Sequence, residues 1–161
     1  MARWADVERE APELAARARE IFDANKHKTI ATIRADGSPR ISGTEAEFWD
    51  GDVWWGSMPD SRKGDDLKRD PRFALHSATV DPELTLGDAK IAGRVVLATA
   101  DDFQRYAAHL SESAEQVPEG EFDAFRADVT EVVVIRIGEP ADHLLIETWH
   151  EGKGARTIKP K

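Results

Sequence analysis

Two cations stand where a helix should repel them. In Trp54-Trp55-Gly56-Ser57-Met58-Pro59-Asp60-Ser61-Arg62-Lys63-Gly64-Asp65-Asp66-Leu67 a strand pattern ends, a turn follows and a helix pattern begins at about Ser61. The first turn of a helix carries free backbone N–H groups and partial positive charge, so Arg62 and Lys63 meet like-charge repulsion there. An anion seated on the helix end removes the conflict. A phosphate would meet the N–H groups, the Ser61 hydroxyl and two charged donors. The competing reading is a solvated helix whose cations pair with Asp65 and Asp66.

A second row could hold a ligand. Pro39-Arg40-Ile41-Ser42-Gly43-Thr44 reads as a strand, and alternation puts Arg40, Ser42 and Thr44 on one face. One cation and two hydroxyls suit a ring carbonyl or a phosphate oxygen; an exposed polar face is the alternative. Lys90, in Ala89-Lys90-Ile91-Ala92-Gly93-Arg94, shares a face with Arg94 opposite Ile91 and Val95, which reads first as a solvated strand face and otherwise as a ligand contact.

Other chemistries find less support. The chain has no cysteine, which removes disulfides, thiolate metal sites and a cysteine nucleophile. His27, His76, His109, His143 and His150 form no close ligand pair, so no metal site is expected. No Gly-x-Ser-x-Gly elbow is present, and the carboxylates are dispersed. No catalytic group is assigned; His76, Tyr106 and His150 are possible acids, each with a structural alternative. Trp49, Trp54 and Trp55 read as core packing, with stacking on a ligand ring or across a dimer as the other use.

Local patterns supply the elements that must position these residues. Residues 5–24 read as one amphipathic helix, with Val7, Ala11, Leu14, Ala18, Ile21 and Phe22 at helical spacing. His27 to Arg34 and Pro39 to Trp49 read as strands around Asp36-Gly37, and Val53 to Met58 as a third strand after Asp50-Gly51, a three-stranded meander. A short helix from Ser61 to Asp70 stops before Pro71. Strands follow at Phe73–Ala78, Ala89–Ala98, Thr130–Ile137 and His143–Trp149, and a second amphipathic helix at Asp101–Ser113. Gln116 to Asp123 reads as a loop, and Glu151 to Lys161 as a basic, mobile tail. Six or seven antiparallel strands with flanking helices make a mainly β fold, a barrel or a layered sheet. The hairpins and the lack of a Gly-rich dinucleotide loop exclude a parallel Rossmann sheet.

The whole chain bounds the answer. Its 161 residues suit one domain with one core. Twenty-two basic against 31 acidic residues give a formal charge of −9, which argues against a general nucleic-acid or anionic-membrane binder. No apolar run reaches the roughly 20 residues of a membrane helix, and Met1 to Asp6 lacks the apolar core of a secretory signal, so a cytoplasmic location is expected.

These pieces together resemble the pyridoxamine 5′-phosphate oxidase-like split β-barrel superfamily. The resemblance rests on the leading helix, the strand pair around Asp36-Gly37, Ser61-Arg62-Lys63-Gly64, Asp70-Pro71-Arg72-Phe73-Ala74-Leu75 and Lys90-Ile91-Ala92-Gly93. It covers residues 21–97 well and the last strands more loosely. It implies a homodimer binding FMN or the deazaflavin coenzyme F-420 at the subunit interface. By the same resemblance Arg62 and Lys63 bind phosphate with help from Ser57 and Ser61, Arg40, Ser42 and Thr44 lie along the cofactor, and Lys90 or its neighbours approach the ring. Two features depart from vitamin-phosphate oxidases. Glu45 stands where they carry a lysine five residues after the arginine matching Arg40, and Ile146-Glu147-Thr148-Trp149-His150 lacks their substrate arginine. The chain is more similar to the actinobacterial flavin/deazaflavin branch, in which Lys68, Arg69 and Arg72 could receive an acidic cofactor tail. The expected function is hydride transfer between bound cofactor and an unidentified small molecule. The alternatives are a non-catalytic flavin, haem or tetrapyrrole carrier, and a structural dimer without a ligand.

Overall fold

A computed structural model describes residues 1–113 and 121–160. The helical pattern at the start forms two helices rather than one, α1 (Trp4–Glu10) and α2 (Pro12–Asp23). Pro12 is the cause: it lacks an N–H and pushes the residue before it out of the helical region. Ala11 accordingly sits at φ −143°, ψ 63°. Both helices lay their apolar faces on the core, where Trp4 and Phe22 each meet the ring of Phe48.

Nine strands form one antiparallel sheet. They are β1 (Lys28–Ile33), β2 (Pro39–Thr44), β3 (Glu47–Trp49), β4 (Asp52–Ser57), β5 (Arg72–His76), β6 (Asp88–Leu97), β7 (Asp123–Ile137), β8 (Leu144–His150) and β9 (Gly154–Ile158). Helix α3 (Arg62–Arg69) lies between β4 and β5, and α4 (Ala100–Ser113) between β6 and β7. The order runs β2-β1-β5-β6-β7-β4-β3, with β8 and β9 branching from β7. The fifteen-residue β7 is the shared element. Its first residues pair with β4, Trp54 opposite Arg126, and its later ones with β8, Glu131 opposite His150, while β6 runs beside both halves. The sheet therefore splits along β7, and no ladder joins β2 to β4 to close it. This is the mainly β, split-barrel architecture expected.

Three local expectations are revised. Pro39 to Trp49 is two strands: β2 pairs with β1, whereas β3 pairs with β4 at the far end of the path, so the segment is no three-stranded meander. The change falls at Glu45-Ala46, which lie outside both ladders, with Ala46 buried in the core. The segment read as a tail carries β9, paired with β8, which together with the division into β2 and β3 takes the count to nine. The loop expected at Gln116 to Asp123 lies largely outside the described residues, and β7 already starts at Asp123.

Both Asp-Gly pairs make turns. Asp50 and Gly51 have φ 51° and 75°, the two positive values of a tight hairpin turn, and Arg3 Nη2 donates to Asp50 O at 2.6 Å. Gly93 serves a different need. It sits at the register shift between β6 and β7, where a Cβ would stand 2.0 Å from Asp128 O, so any side chain would force the strands apart at this bulge.

Candidate functional site

A cleft of about 790 Å³ opens where the β1–β2 pair, the end of β4, the start of α3 and the inner face of α4 converge. Ser57 and Lys63 line it from one side, Lys28 and Thr44 from another, and Tyr106 and Leu110 from above.

The α3 end follows from local sequence. Ser61 is the N-cap, extended at φ −71°, ψ 139°, and its Oγ accepts from Gly64 N at 3.1 Å. That cap is the usual role of serine at a helix start. The Ser57 and Ser61 hydroxyls hydrogen-bond to each other. Each hydroxyl has one proton, so one of the two stays free for a ligand. The N–H groups of Arg62 and Lys63 have no partner among the described residues. Gly64 lets these groups crowd together: a Cβ there would meet Ser61 Oγ at 2.9 Å and Ser57 Oγ at 3.3 Å.

The two cations part ways. Lys63 turns onto the cleft wall, where Nζ donates to Gly43 O at 2.8 Å, and burial lowers its pKa below the ordinary lysine range while Glu45 opposes the shift. Arg62 is exposed and does not line the cleft. Neither pairs with Asp65 or Asp66, as the solvated-helix reading required. Of the farther cations, Lys68 pairs with Asp123 at 2.7 Å and Arg72 with Asp70 at 2.6 Å.

The β2 row keeps its common face but divides its tasks. Arg40 Nε donates to Asp66 Oδ2 at 2.6 Å, and Asp66 also accepts from Thr32 at 2.8 Å and Arg69 at 3.0 Å. Burial pushes the Asp66 carboxyl up, but these three donors outweigh it and hold the pKa at about 2. Arg40 thus fastens α3 to β2 and does not line the cleft, nor does the half-buried Ser42. Thr44 does line it; it is 4 % exposed, and its Oγ1 has no hydrogen-bond partner.

Lys90 is exposed on β6 beside His76 and Val133 and lies off the cleft. His76 Nδ1 contacts Ser77 O at 2.7 Å, and His150 closes β8; neither lines the cleft. Tyr106 does, and it is tied to Glu47 and through it to His109, two partners that sequence reasoning did not nominate. Its hydroxyl donates to Glu47 Oε1 at 2.9 Å, and His109 Nε2 lies 2.9 Å from Glu47 Oε2. Tyr106 stacks on Trp54 and His109 on Trp49, centroids 5.1 and 4.9 Å apart. Burial and the Glu47 charge push the Tyr106 hydroxyl well up, so it stays protonated. Trp55 packs in the main core, and none of the three tryptophans reaches the cleft.

Lys28 was also missed, although a signal exists. It alternates in phase with the inward Ile30 and Thr32, and only 7 % of it is exposed. Among the described residues, no group of three His, Asp or Glu side chains could hold a metal ion, and no helix is long and apolar enough to cross a membrane.

A family model described as pyridoxamine 5′-phosphate oxidase matches residues 14–136, well over half of the chain. The chain belongs to that family. The fold comparisons agree. A pyridoxamine 5′-phosphate oxidase-related, FMN binding protein from Nostoc punctiforme superposes with TM-score 0.65 at 13% identity, over 96% of this chain and 97% of that one. A heme binding protein from Mycobacterium smegmatis gives 0.61 at 19%, over 91% of this chain and 57% of that one, so this chain spans little more than half of its length. HupZ from Group A Streptococcus gives 0.61 at 16%, over 76% and 94%. At these identities the likeness concerns the fold. A search of curated proteins returns no match.

Proposed function

We propose that the cleft binds a phosphorylated flavin-type cofactor, FMN or coenzyme F-420, and that the chain is an oxidoreductase acting on a small molecule, as a homodimer with its cofactor sites at the subunit interface. The observation that carries this reading is the donor set at the α3 end: Lys63 on the cleft wall, two free helix N–H groups and one spare serine proton. Such a set suits a phosphate. The residues present therefore fit the group that the family implies.

A bound flavin or deazaflavin supplies hydride transfer; the protein binds, orients and shields. Lys63 and the helix end anchor the phosphate. Tyr106, kept protonated and fixed by Glu47, gives the cleft a rigid wall and excludes water. Arg40 and Asp66 hold α3 at the angle that presents Lys63.

A second reading, a non-catalytic carrier of flavin, haem or tetrapyrrole, draws on His27, 78% exposed at the cleft border, and on the heme binding neighbour. Calorimetric titration with FMN, coenzyme F-420 and hemin separates the two. The expected result is flavin or deazaflavin binding that Arg62→Ala with Lys63→Ala weakens by about tenfold or more, roughly 1.4 kcal/mol, with Lys63→Ala alone giving most of it. Unchanged affinity in the double variant, or a Soret band lost on His27→Ala with no flavin binding, overturns the leading reading.

A further inference from the structure

Lys28 is a cation in an unexpected place. It opens β1 on the inward face, is 93% buried by its 7 % exposure, and borders the cleft. Among the described residues it forms no ion pair. The three carboxylates whose charge reaches it are Asp23, Glu47 and Glu45. All have other work: Asp23 faces Arg19, Glu47 takes Tyr106 and His109, and Glu45 faces Lys26 and His27. Partial withdrawal of an ammonium from water without an ion-pair partner is unfavourable. Burial accordingly draws its pKa below the ordinary lysine range.

Directly opposite Lys28 in the β1–β2 ladder stands Thr44. Opposed side chains on one face sit about 5 Å apart at Cβ. Thr44 Oγ1 is the buried hydroxyl without a partner, also on the cleft. Among the described residues, a buried hydroxyl without a partner thus stands beside a lysine without an ion pair. A hydroxyl alone can be served by water. A cation on the cleft wall next to it, with no ion pair among the described residues, suits an oxygen ligand with negative charge. The cleft lining also carries apolar Ala46, Met58, Leu110 and Phe122.

We infer that Lys28 and Thr44 form a carboxylate seat, and that the substrate of the proposed cofactor cleft is an acid with an apolar body: carboxylate on Lys28 and Thr44, body against Met58, Leu110 and Phe122. This rests on the reading that the cofactor phosphate occupies the Lys63 end. The seat sets which molecule enters; it assigns Lys28 to binding and not to the reacting atoms.

The test titrates the full chain with benzoate as the acid and benzyl alcohol as its uncharged counterpart, with FMN and coenzyme F-420 measured in parallel. Benzoate should bind more tightly than benzyl alcohol. Lys28→Met should lower benzoate affinity by about tenfold or more, Lys28→Arg should keep it within about threefold, and Thr44→Val should lower it by about threefold. Benzyl alcohol affinity should hold in all three. Should Lys28→Met lose its native circular dichroism, the Thr44→Val titration decides. Benzoate binding that ignores the substitutions, or that never exceeds benzyl alcohol, overturns the inference. So does a loss of FMN or F-420 affinity as large as the benzoate loss, which would place the cofactor's phosphate on Lys28. Wild-type protein that takes benzoate in this pattern but neither cofactor would refute the redox reading alone.

Discussion

Arg40 and Asp66 meet at 2.6 Å across the gap between an edge strand and a helix. The contact joins the end of the sheet path to the element that carries Lys63, so the geometry of the phosphate donors depends on a pair that never touches the cleft.

The pair makes stability depend on acid. Asp66 has its pKa lowered from 3.8 to about 2 on folding. A depressed carboxylate contributes its stability fully above the unfolded value and loses it as pH falls through the folded one. The window is therefore from near pH 4 down to near pH 2, and the amount is on the order of 2 kcal/mol. Urea denaturation of wild type across that window should show the loss. Asp66→Asn should be less stable at neutral pH and show a flatter profile between those limits; a parallel profile would mean that another carboxylate governs the transition.

Gly93 should tolerate no side chain. Its Cβ would stand 2.0 Å from a backbone oxygen, which cannot swing away as a side chain could. Gly93→Ala is expected to lower stability by about 2 kcal/mol or more, read from the urea midpoint at unchanged slope. An alanine variant as stable as wild type would show that the β6–β7 bulge yields freely.

Glu47 should govern how α4 sits. Its two oxygens hold Tyr106 and His109, one helical turn apart. Glu47→Ala leaves a buried phenol unpaired, at a cost of about 1–3 kcal/mol. Amide exchange within residues 100–113 should quicken in this variant while β6 and β7 keep their protection. Uniform exchange changes throughout the chain would instead tie Glu47 to global stability.

What the sequence made legible was local. The helix start at about Ser61 could be read, and the Asp-Gly turns as hairpins, because each motif contains its own physical cause. The helix break at Ala11 is readable from Pro12, whereas the apolar spacing alone runs on through it. Residues 39–49 could not be divided from within, since the two halves are separated by which distant strand each one joins. Arg40 looked like a ligand donor because its partner lies 26 positions away, and the Glu47–His109 contact spans 62. Lys28 was legible: a lysine in phase with inward positions is out of character for a strand, and its phase marks it without any long-range knowledge.

The cleft draws its walls from stretches spread between Lys26 and Phe122. No subset of neighbouring residues can build it, so it comes into being only once β1, β4 and α4 have all docked. A molecule that settles there has nothing to hold while the chain is still assembling, and its free energy appears after the folding barrier. Occupancy consequently acts as a brake on escape from the native state: it lengthens the lifetime of the folded chain and leaves the rate of reaching it alone.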